Sequence, residues 1–572
     1  MLFSTLPEDS DGFMDWSWDQ MQPYYQELSG RRLDENSVSA WLHDWSELEK
    51  LVDETYSRLQ LANSQDMTDA AAEQRFHTFL EKVYPSIQSA NQSLKEKLLW
   101  SGLEPEGMEV PLRNMRVEAE IFQEANLPLI TREHKLSAQY NRITGTQTVQ
   151  WEGEEPTVLQ LRARMADPDR VMREKIWRIT AQRQLEDREA INQVWMQLLE
   201  LRQKMAENAG FSGYREYRWK QCKRFDYTPQ DCLRFHQAIE KVVVPAASRV
   251  YERQRQRFGL DSTRPWDLNQ DLYPLRMPPL QAYQRIDELV NKAGEIFKHV
   301  SPDLGAYFRI LQVEKLLDLE NRNGKATGGF CTSFAVRKRP FIFTNAVGLA
   351  SDVRTLLHEA GHAFHVFERS ELPYHQQWKP GLEFAEVTSM AMELLSMPYL
   401  SASQGGFYSE EDANRARVEQ LEHILVFWPY MASVDAFQHW VYENPEAAAN
   451  PANCDACWKE LTLRFIPGVD WRGLDAELET GWHRKQHIHR SPFYYIEYGL
   501  AQLGAVQIWA NALKDQVSAV DSYRRALALG GTVPLRELYE TAGAKLSFDE
   551  ETLGEAVDLI EGQVSRLEEG QA

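Results

Sequence analysis

The chain has 572 residues, 43% of them hydrophobic, with 17 Trp, 22 Tyr and 24 Phe; that is enough to bury a large core, and it excludes global disorder. Its 85 acidic residues outnumber 63 basic ones. The resulting formal charge of −22 argues against the basic face that a nucleic-acid groove or an anionic membrane surface requires.

In chain order, residues 1–130 read as polar-faced helices joined by short loops, with no chemical motif. The opening MLFSTLPEDSDGF has no basic region followed by an apolar core, so no secretory signal is expected. Residues 136–162, KLSAQYNRITGTQTVQWEGEEPTVLQL, alternate polar and apolar side chains around Thr-Gly-Thr and Glu-Gly-Glu, which predicts a small β-hairpin or meander. A division follows into an N-terminal helical region with a hairpin, 1–165, and a larger domain, 166–572. GFSGY at 210–214 resembles a nucleophile elbow only loosely and reads as a helix stop. The proline-rich residues 262–281 predict a surface connection. A β patch follows at 327–346, TGGFCTSFAVRKRPFIFTNA. Within it, Pro340 to Asn345 can also be read as a strand that pairs with an extended peptide by strand addition.

The next segment carries the chemistry. His358-Glu359-Ala360-Gly361-His362 is an HExxH motif in a predicted helix running to about Arg369, with Ser351-Asp352 as its cap. Two imidazoles four residues apart lie about 40° apart around a helix axis, so both can reach one ion. Glu359 sits about 100° from His358, within reach of a water on that ion. Zinc lowers the pKa of such a water from about 16 to about 7. Val353, Leu356, Leu357, Ala360, Phe364 and Phe367 form an apolar stripe opposite the histidines. His365 is assigned a buried packing or supporting role. Gly361 costs about 1 kcal/mol against alanine inside a helix, which predicts a second element passing close behind the ligands.

Glu386 and Glu393, seven residues apart, share a helix face with Met390 and Met397, while Phe384, Val387, Ala391 and Leu395 carry the packing. Carboxylates on so apolar a helix are costly unless paired or metal-bound. An Arg or Lys partner for each is one answer. The histidine-rich helix just upstream makes coordination by Glu386 the better one. Glu383 and Glu393 are then expected to bond the outer histidine nitrogens. The apolar run Phe384 to Leu400 contains two glutamates and predicts a buried helix rather than a membrane span. Leu421, Ile424, Leu425 and Trp428 mark another helix. Cys454-Asp455-Ala456-Cys457 has no partner pair nearby and reads as a surface loop with free thiols. Five cysteines, few and odd in number, fit a reducing compartment, so a cytoplasmic location is expected. The C-terminal EGQVSRLEEGQA reads as a solvated helix end.

TGGFCTSF, PFIFTN, DVRTLLHEAGHAFH and FAEVTSMAMELL, in this order and spacing, resemble the zinc peptidases of the thimet oligopeptidase and oligoendopeptidase F group. His487 to Trp509, HIHRSPFYYIEYGLAQLGAVQIW, and the helical DAFQHWVYENP are similar to the oligoendopeptidase F branch, so the resemblance extends over about 170–565. It implies a mainly α, zincin-type fold with a small β-sheet beside the active-site helix and an internal substrate channel. It also implies one zinc per chain on His358, His362 and Glu386, with Glu359 as general base. His487 and Tyr498, with Tyr495 next, would contact substrate and oxyanion. A neutral phenol suits the oxyanion role because it stays protonated and donates a hydrogen bond. The spacing from His487 to the tyrosines differs from the thimet branch, and His489 competes for the same role.

The function these features predict is zinc-dependent endoproteolysis of short unstructured oligopeptides by a zinc-bound water activated by Glu359. No nucleic-acid or membrane partner is expected. Two other readings stay open: a zinc carboxypeptidase or dipeptidyl carboxypeptidase with the same ligands, and a helical peptide-binding protein whose HExxH is vestigial.

Overall fold

The computed structural model describes residues 2–269, 272–275 and 278–570. The fold is mainly helical, as the 3.6-residue periods predict, with one three-stranded sheet among the described residues. Two units emerge, each discontinuous in sequence. The first joins Met1–Glu120, Leu280–Ala413 and Gly504–Leu546; the second joins Ile121–Pro279, Asn414–Leu503 and Ser547–Ala572.

In the first unit the helix Val38–Gln65 buries Trp41, Leu42, Trp45, Leu48, Leu51, Val52 and Leu59, one stripe at three- and four-residue spacing. Its two buried indoles keep their hydrogen bonds: Trp41 donates to the Leu28 carbonyl and Trp45 to Asn91 Oδ1, both at 2.9 Å. Glu54, fully buried on this helix, accepts from Arg58 at 2.8 Å and from the backbone N–H groups of Val336 and Arg337 at 2.8 and 3.1 Å. It thereby fixes the turn between two strands of the sheet.

That sheet comprises β1 (Leu317–Glu320), β2 (Phe330–Phe334) and β3 (Arg339–Ala346) in the order β1-β3-β2. β2 runs antiparallel and β1 parallel to β3. The β patch read from the sequence is therefore β2 and β3, while the four-residue β1 is too short to show a period of two. Pro340 to Asn345 lies in the central strand, with Ile342 and Phe343 paired on both sides. A central strand has no free row of backbone groups, so Pro340 to Asn345 is not available for strand addition; the edges of the sheet are β1 and β2.

In the second unit the residues 136–145 are helix, not hairpin: Leu127–Gly145 is continuous, and Leu136 and Tyr140 are its buried pair. A short run of alternating side chains fits either period, and an i, i+4 contact decides this one. The hairpin itself is confined to Thr148–Thr157 and turns at Glu152 and Gly153 with φ of 51° and 87°, the paired left-handed geometry of a two-residue loop. GFSGY follows the end of helix Arg188–Asn208, with Gly210 at φ 79°. The proline-rich stretch is a surface connection only in part: Pro278 and Pro279 are exposed, but its first part packs inward. Pro265, Trp266, Asp267 and Leu268 are buried, and Asp267 pairs with Arg170 at 2.7 Å and Arg173 at 3.2 Å. Residues 270, 271, 276 and 277 lie outside the described residues.

Cys454 and Cys457 sit in helix Pro451–Phe465 with Cys454 fully buried, so that CxxC is a packed helix face and not a loop. None of the five cysteines is in a disulfide. Leu421, Ile424, Leu425 and Trp428 are buried along helix Glu410–Glu443. The closing helix Glu550–Glu568 buries one side, while 571 and 572, the end of the predicted solvated tail, lie outside the described residues. Among the described residues no helix is long and apolar enough to cross a membrane.

Candidate active site

β3 leads through residues 347–349 into the motif helix Ala350–Arg369. Leu349 holds the capping position, so Ser351-Asp352 lies inside the first turn rather than before it. Asp352 nonetheless caps from within: its Oδ2 accepts from the N–H groups of Val347, Gly348 and Leu349 at 2.7, 2.8 and 2.9 Å, and from the Tyr283 hydroxyl at 2.7 Å. A carboxylate there also suits the positive end of the helix. The predicted stripe from Val353 to Phe367 is buried, and His358 and His362 are half-buried on the other side.

Gly361 explains how the second helix reaches the histidines. A Cβ at this position would lie 2.5 Å from the Thr388 carbonyl oxygen and 2.6 Å from Ser389 Cα. Only glycine admits helix Leu382–Ser396 this close. The approach brings Glu386 Oε2 to 3.5 Å from His358 Nε2 and 3.8 Å from His362 Nε2. Glu393, two turns on, accepts the His358 Nδ1–H at 2.8 Å, which orients the ring with Nε2 toward Glu386. Ser389 Oγ donates to Glu386 Oε2 at 3.2 Å. Glu383 is buried one turn before Glu386, and His365 is buried as expected, with burial pushing its imidazole well below its usual range.

The electrostatics follow from burial and from these neighbours. Burial would raise the Glu386 carboxyl, but His358 and His362 outweigh it and hold it at about 2. Burial lowers the His362 imidazole to about 4, so it is a neutral nitrogen donor. His358 is pulled the other way: Glu386 and Glu393 overcome its burial and raise it. Burial pushes Glu359 up to about 7, against the pull of His358. The Cys331 backbone N–H, on the edge strand β2 packed against this helix, also pulls Glu359 down.

The donor set fits a zinc ion. Ligand atoms of His358, His362 and Glu386 all lie within 4.8 Å of one another. Zinc bonds of about 2.0–2.2 Å in a tetrahedron require donor separations of about 3.3–3.6 Å, close to those found. The buried Glu386 and the half-buried Glu393 are two carboxylates facing two histidines, a charge balance that a divalent cation improves.

His487, Tyr495 and Tyr498 come together in the second unit. The His487 ring lies 4.9 Å from Tyr495 and 6.1 Å from Tyr498, and Tyr494 packs on Tyr498 at 5.1 Å. His489 does not share the half-buried setting of His487 and Tyr498. It is fully buried, stacked on Tyr140 at 4.2 Å, and its burial lowers the imidazole to about 3. Sequence reasoning missed what anchors the block. Arg224 forms a buried ion pair with Glu497 at 2.6 Å and also donates to the Phe493 carbonyl, at the start of helix Tyr495–Ala512. Gln438 Oε1 accepts from the Phe493 N–H at 2.7 Å, and Phe493 has φ 62°. An arginine more than two hundred residues away carries no local pattern that would reveal this.

Comparison with known proteins follows the same outline. The chain is 24% identical to oligopeptidase PepF of Bacillus subtilis (strain 168) over 262 residues, 44% of this chain and 37% of that protein. It is 23% identical to the chromosomal oligoendopeptidase F of Lactococcus lactis subsp. cremoris over 295 residues, 49% of this chain and 46% of that one. The chain thus spans less than half the length of these two curated relatives. A solved structure of PZ peptidase A with inhibitor 2 superposes with a TM-score of 0.85 at 27% identity, covering 98% of this chain and 99% of that one. The model of peptidase family M3 matches residues 163–557, and the chain belongs to that family as an oligoendopeptidase F-like member.

Proposed function

We propose that this chain is a cytoplasmic, zinc-dependent endopeptidase for short unstructured oligopeptides, with one zinc in the active site held by His358, His362 and Glu386. The observation that supports it most is the convergence of those three ligand atoms within 4.8 Å, next to the buried carboxyl of Glu359. Membership of a peptidase family agrees with it. Zinc, when bound, supplies Lewis acidity, making water acidic near neutral pH and polarising a carbonyl.

The chain's own residues perform the proton transfers. Glu359 takes a proton from the attacking water and returns it to the departing amine nitrogen. Glu393 keeps the His358 proton on Nδ1, so the ring presents Nε2. Tyr498, with His487 and Tyr495 around it, is assigned to the substrate carbonyl, where a neutral phenol donates a hydrogen bond to the developing negative oxygen. The edge strand β2 is assigned to the peptide backbone, which selects extended chains with little regard for side chains.

Cleavage of a quenched fluorescent peptide of about ten residues, before and after chelation, tests this reading. Activity lost on chelation, restored by zinc, and giving internal fragments by mass is the expected result. Release of one or two residues from the C-terminal end alone would assign a carboxypeptidase. Binding without cleavage, insensitive to chelators, would assign a peptide-binding protein.

A further inference from the structure

A second group of metal-ligating side chains lies in the second unit and is used by no step above. Cys232 and His236 are four residues apart on helix Pro229–Ala238, and Asp435 and His439 are four apart on helix Glu410–Glu443. Residues with that spacing project from one helix face, so the two pairs meet as two facing couples. Ligand atoms of Cys232, Asp435 and His439 lie within 4.8 Å of one another. His236 Nε2 is 2.9 Å from Asp435 Oδ2.

All four side chains are buried: Cys232 and Asp435 have no exposure, His439 1% and His236 4%. Trp219 and Phe493 pack on the His439 ring with centroids 5.9 and 5.1 Å away. Within this dry box several polar atoms are unsatisfied. Neither nitrogen of His439 makes a hydrogen bond, and neither does Asp435 Oδ1. His439 Nε2 approaches Asp435 Oδ2 to 3.3 Å but off the line of a hydrogen bond. Leaving buried imidazole and carboxylate atoms without partners is costly, most of all for the charged group, so three in one place require an account.

We propose that Cys232, Asp435 and His439 bind a second, structural zinc-class divalent cation that ties helix Pro229–Ala238 to helix Glu410–Glu443, with His236 holding the Asp435 carboxylate in place. One sulfur, one nitrogen and one oxygen supply three corners of a tetrahedral site, and thiolate with imidazole selects zinc over magnesium or calcium. The charges balance. A thiolate, a carboxylate and a neutral imidazole around a divalent cation sum to zero, which a desolvated interior tolerates. Binding releases the Cys232 proton to solvent as the sulfur–metal bond forms, with no change of oxidation state. Full burial implies that the ion enters as the unit folds and exchanges slowly.

The test uses the full chain and is independent of peptidase activity. In a His358→Ala/His362→Ala variant, which removes the active-site ligands, metal content after dialysis is expected to stay near one zinc per chain. Adding Cys232→Ser and His439→Ala is expected to lower that to below a tenth. Because such variants can fail to fold, a second measurement uses the intact ligand set. Cobalt(II) loaded into the His358→Ala/His362→Ala variant is expected to show thiolate-to-cobalt charge transfer in the near ultraviolet. No other group of ligands proposed here contains sulfur. A variant that folds, retains no metal and gives no thiolate band would overturn the proposal, leaving the four side chains as a metal-free His–Asp–His cluster. Peptide cleavage that persists in the His358→Ala/His362→Ala variant with the second zinc retained would count against the proposed function alone.

Discussion

Glu359 is the residue on which the proposed chemistry turns, and its test is isosteric. Glu359→Gln keeps the size and leaves His358, His362 and Glu386 in place, so zinc content is expected to be unchanged. Turnover is expected to fall by about 10²–10⁴-fold, the usual contribution of a positioned proton-transfer group. Steady-state cleavage with metal analysis on one sample checks both halves, and substantial remaining turnover would remove Glu359 from the role. Glu393 makes a different kind of contribution. Its bond to His358 Nδ1 fixes the tautomer, so Glu393→Gln is expected to weaken zinc binding about 10–100-fold, read by competition with a chelator. At this scale the sequence was informative where a local pattern exists. His358, Glu359 and His362 announce themselves by spacing, and Glu386 by being a carboxylate on an apolar helix. Asp352 was noticed for the right chemistry but one turn out of place, because a side chain that caps from within looks the same in sequence as one that caps from before. Cys232 and His236 were passed over, since a C-x₃-H pair and a D-x₃-H pair two hundred residues apart mean nothing until the helices meet.

Between elements, close approach is the controlling variable. Alanine is the better helix former by about 1 kcal/mol, so Gly361→Ala in a loosely packed helix would stabilise the chain. Here a Cβ would stand 2.5 Å from the Thr388 carbonyl, and the helices must separate. The expected outcome is a net loss of about 1–3 kcal/mol in denaturant unfolding, with weaker zinc binding because Glu386 moves away from the histidines. A stabilised variant with unchanged zinc affinity would refute the packing argument. A comparable test exists in the second unit. Arg224→Met strips the buried Glu497 carboxylate of its ion-pair partner, and about 3–5 kcal/mol of stability is expected to go with it. Arg224→Met with Glu497→Leu should recover most of that loss. The period of 3.6 residues gave the helical character and the helices around the motif, but it could not tell residues 136–145 from a strand, nor see that Pro265 is packed inside.

For the whole molecule, mainly α architecture with a small sheet was legible because it is the sum of local periods. The composition of the two units was not, because each is assembled from three stretches far apart in sequence. The unit that contains the motif helix also contains residues 1–120, and Glu54 reaches from there to the turn between β2 and β3. A fragment of residues 166–572 keeps every proposed ligand yet loses that support. It is expected to be insoluble or to lack a cooperative unfolding transition, checked by circular dichroism on heating. A soluble, active fragment would show that the first 120 residues are dispensable to the sheet.

The position of β2 at the sheet's edge has a consequence for inhibitor chemistry. Along such an edge the outward N–H and C=O groups belong to alternate residues, so a peptide lying against it is held at every second amide. Methylating one amide nitrogen after another along a substrate should therefore give an alternating record, with binding lost at one parity and kept at the other. Such a scan would locate the scissile bond relative to Glu359 using nothing but methyl groups.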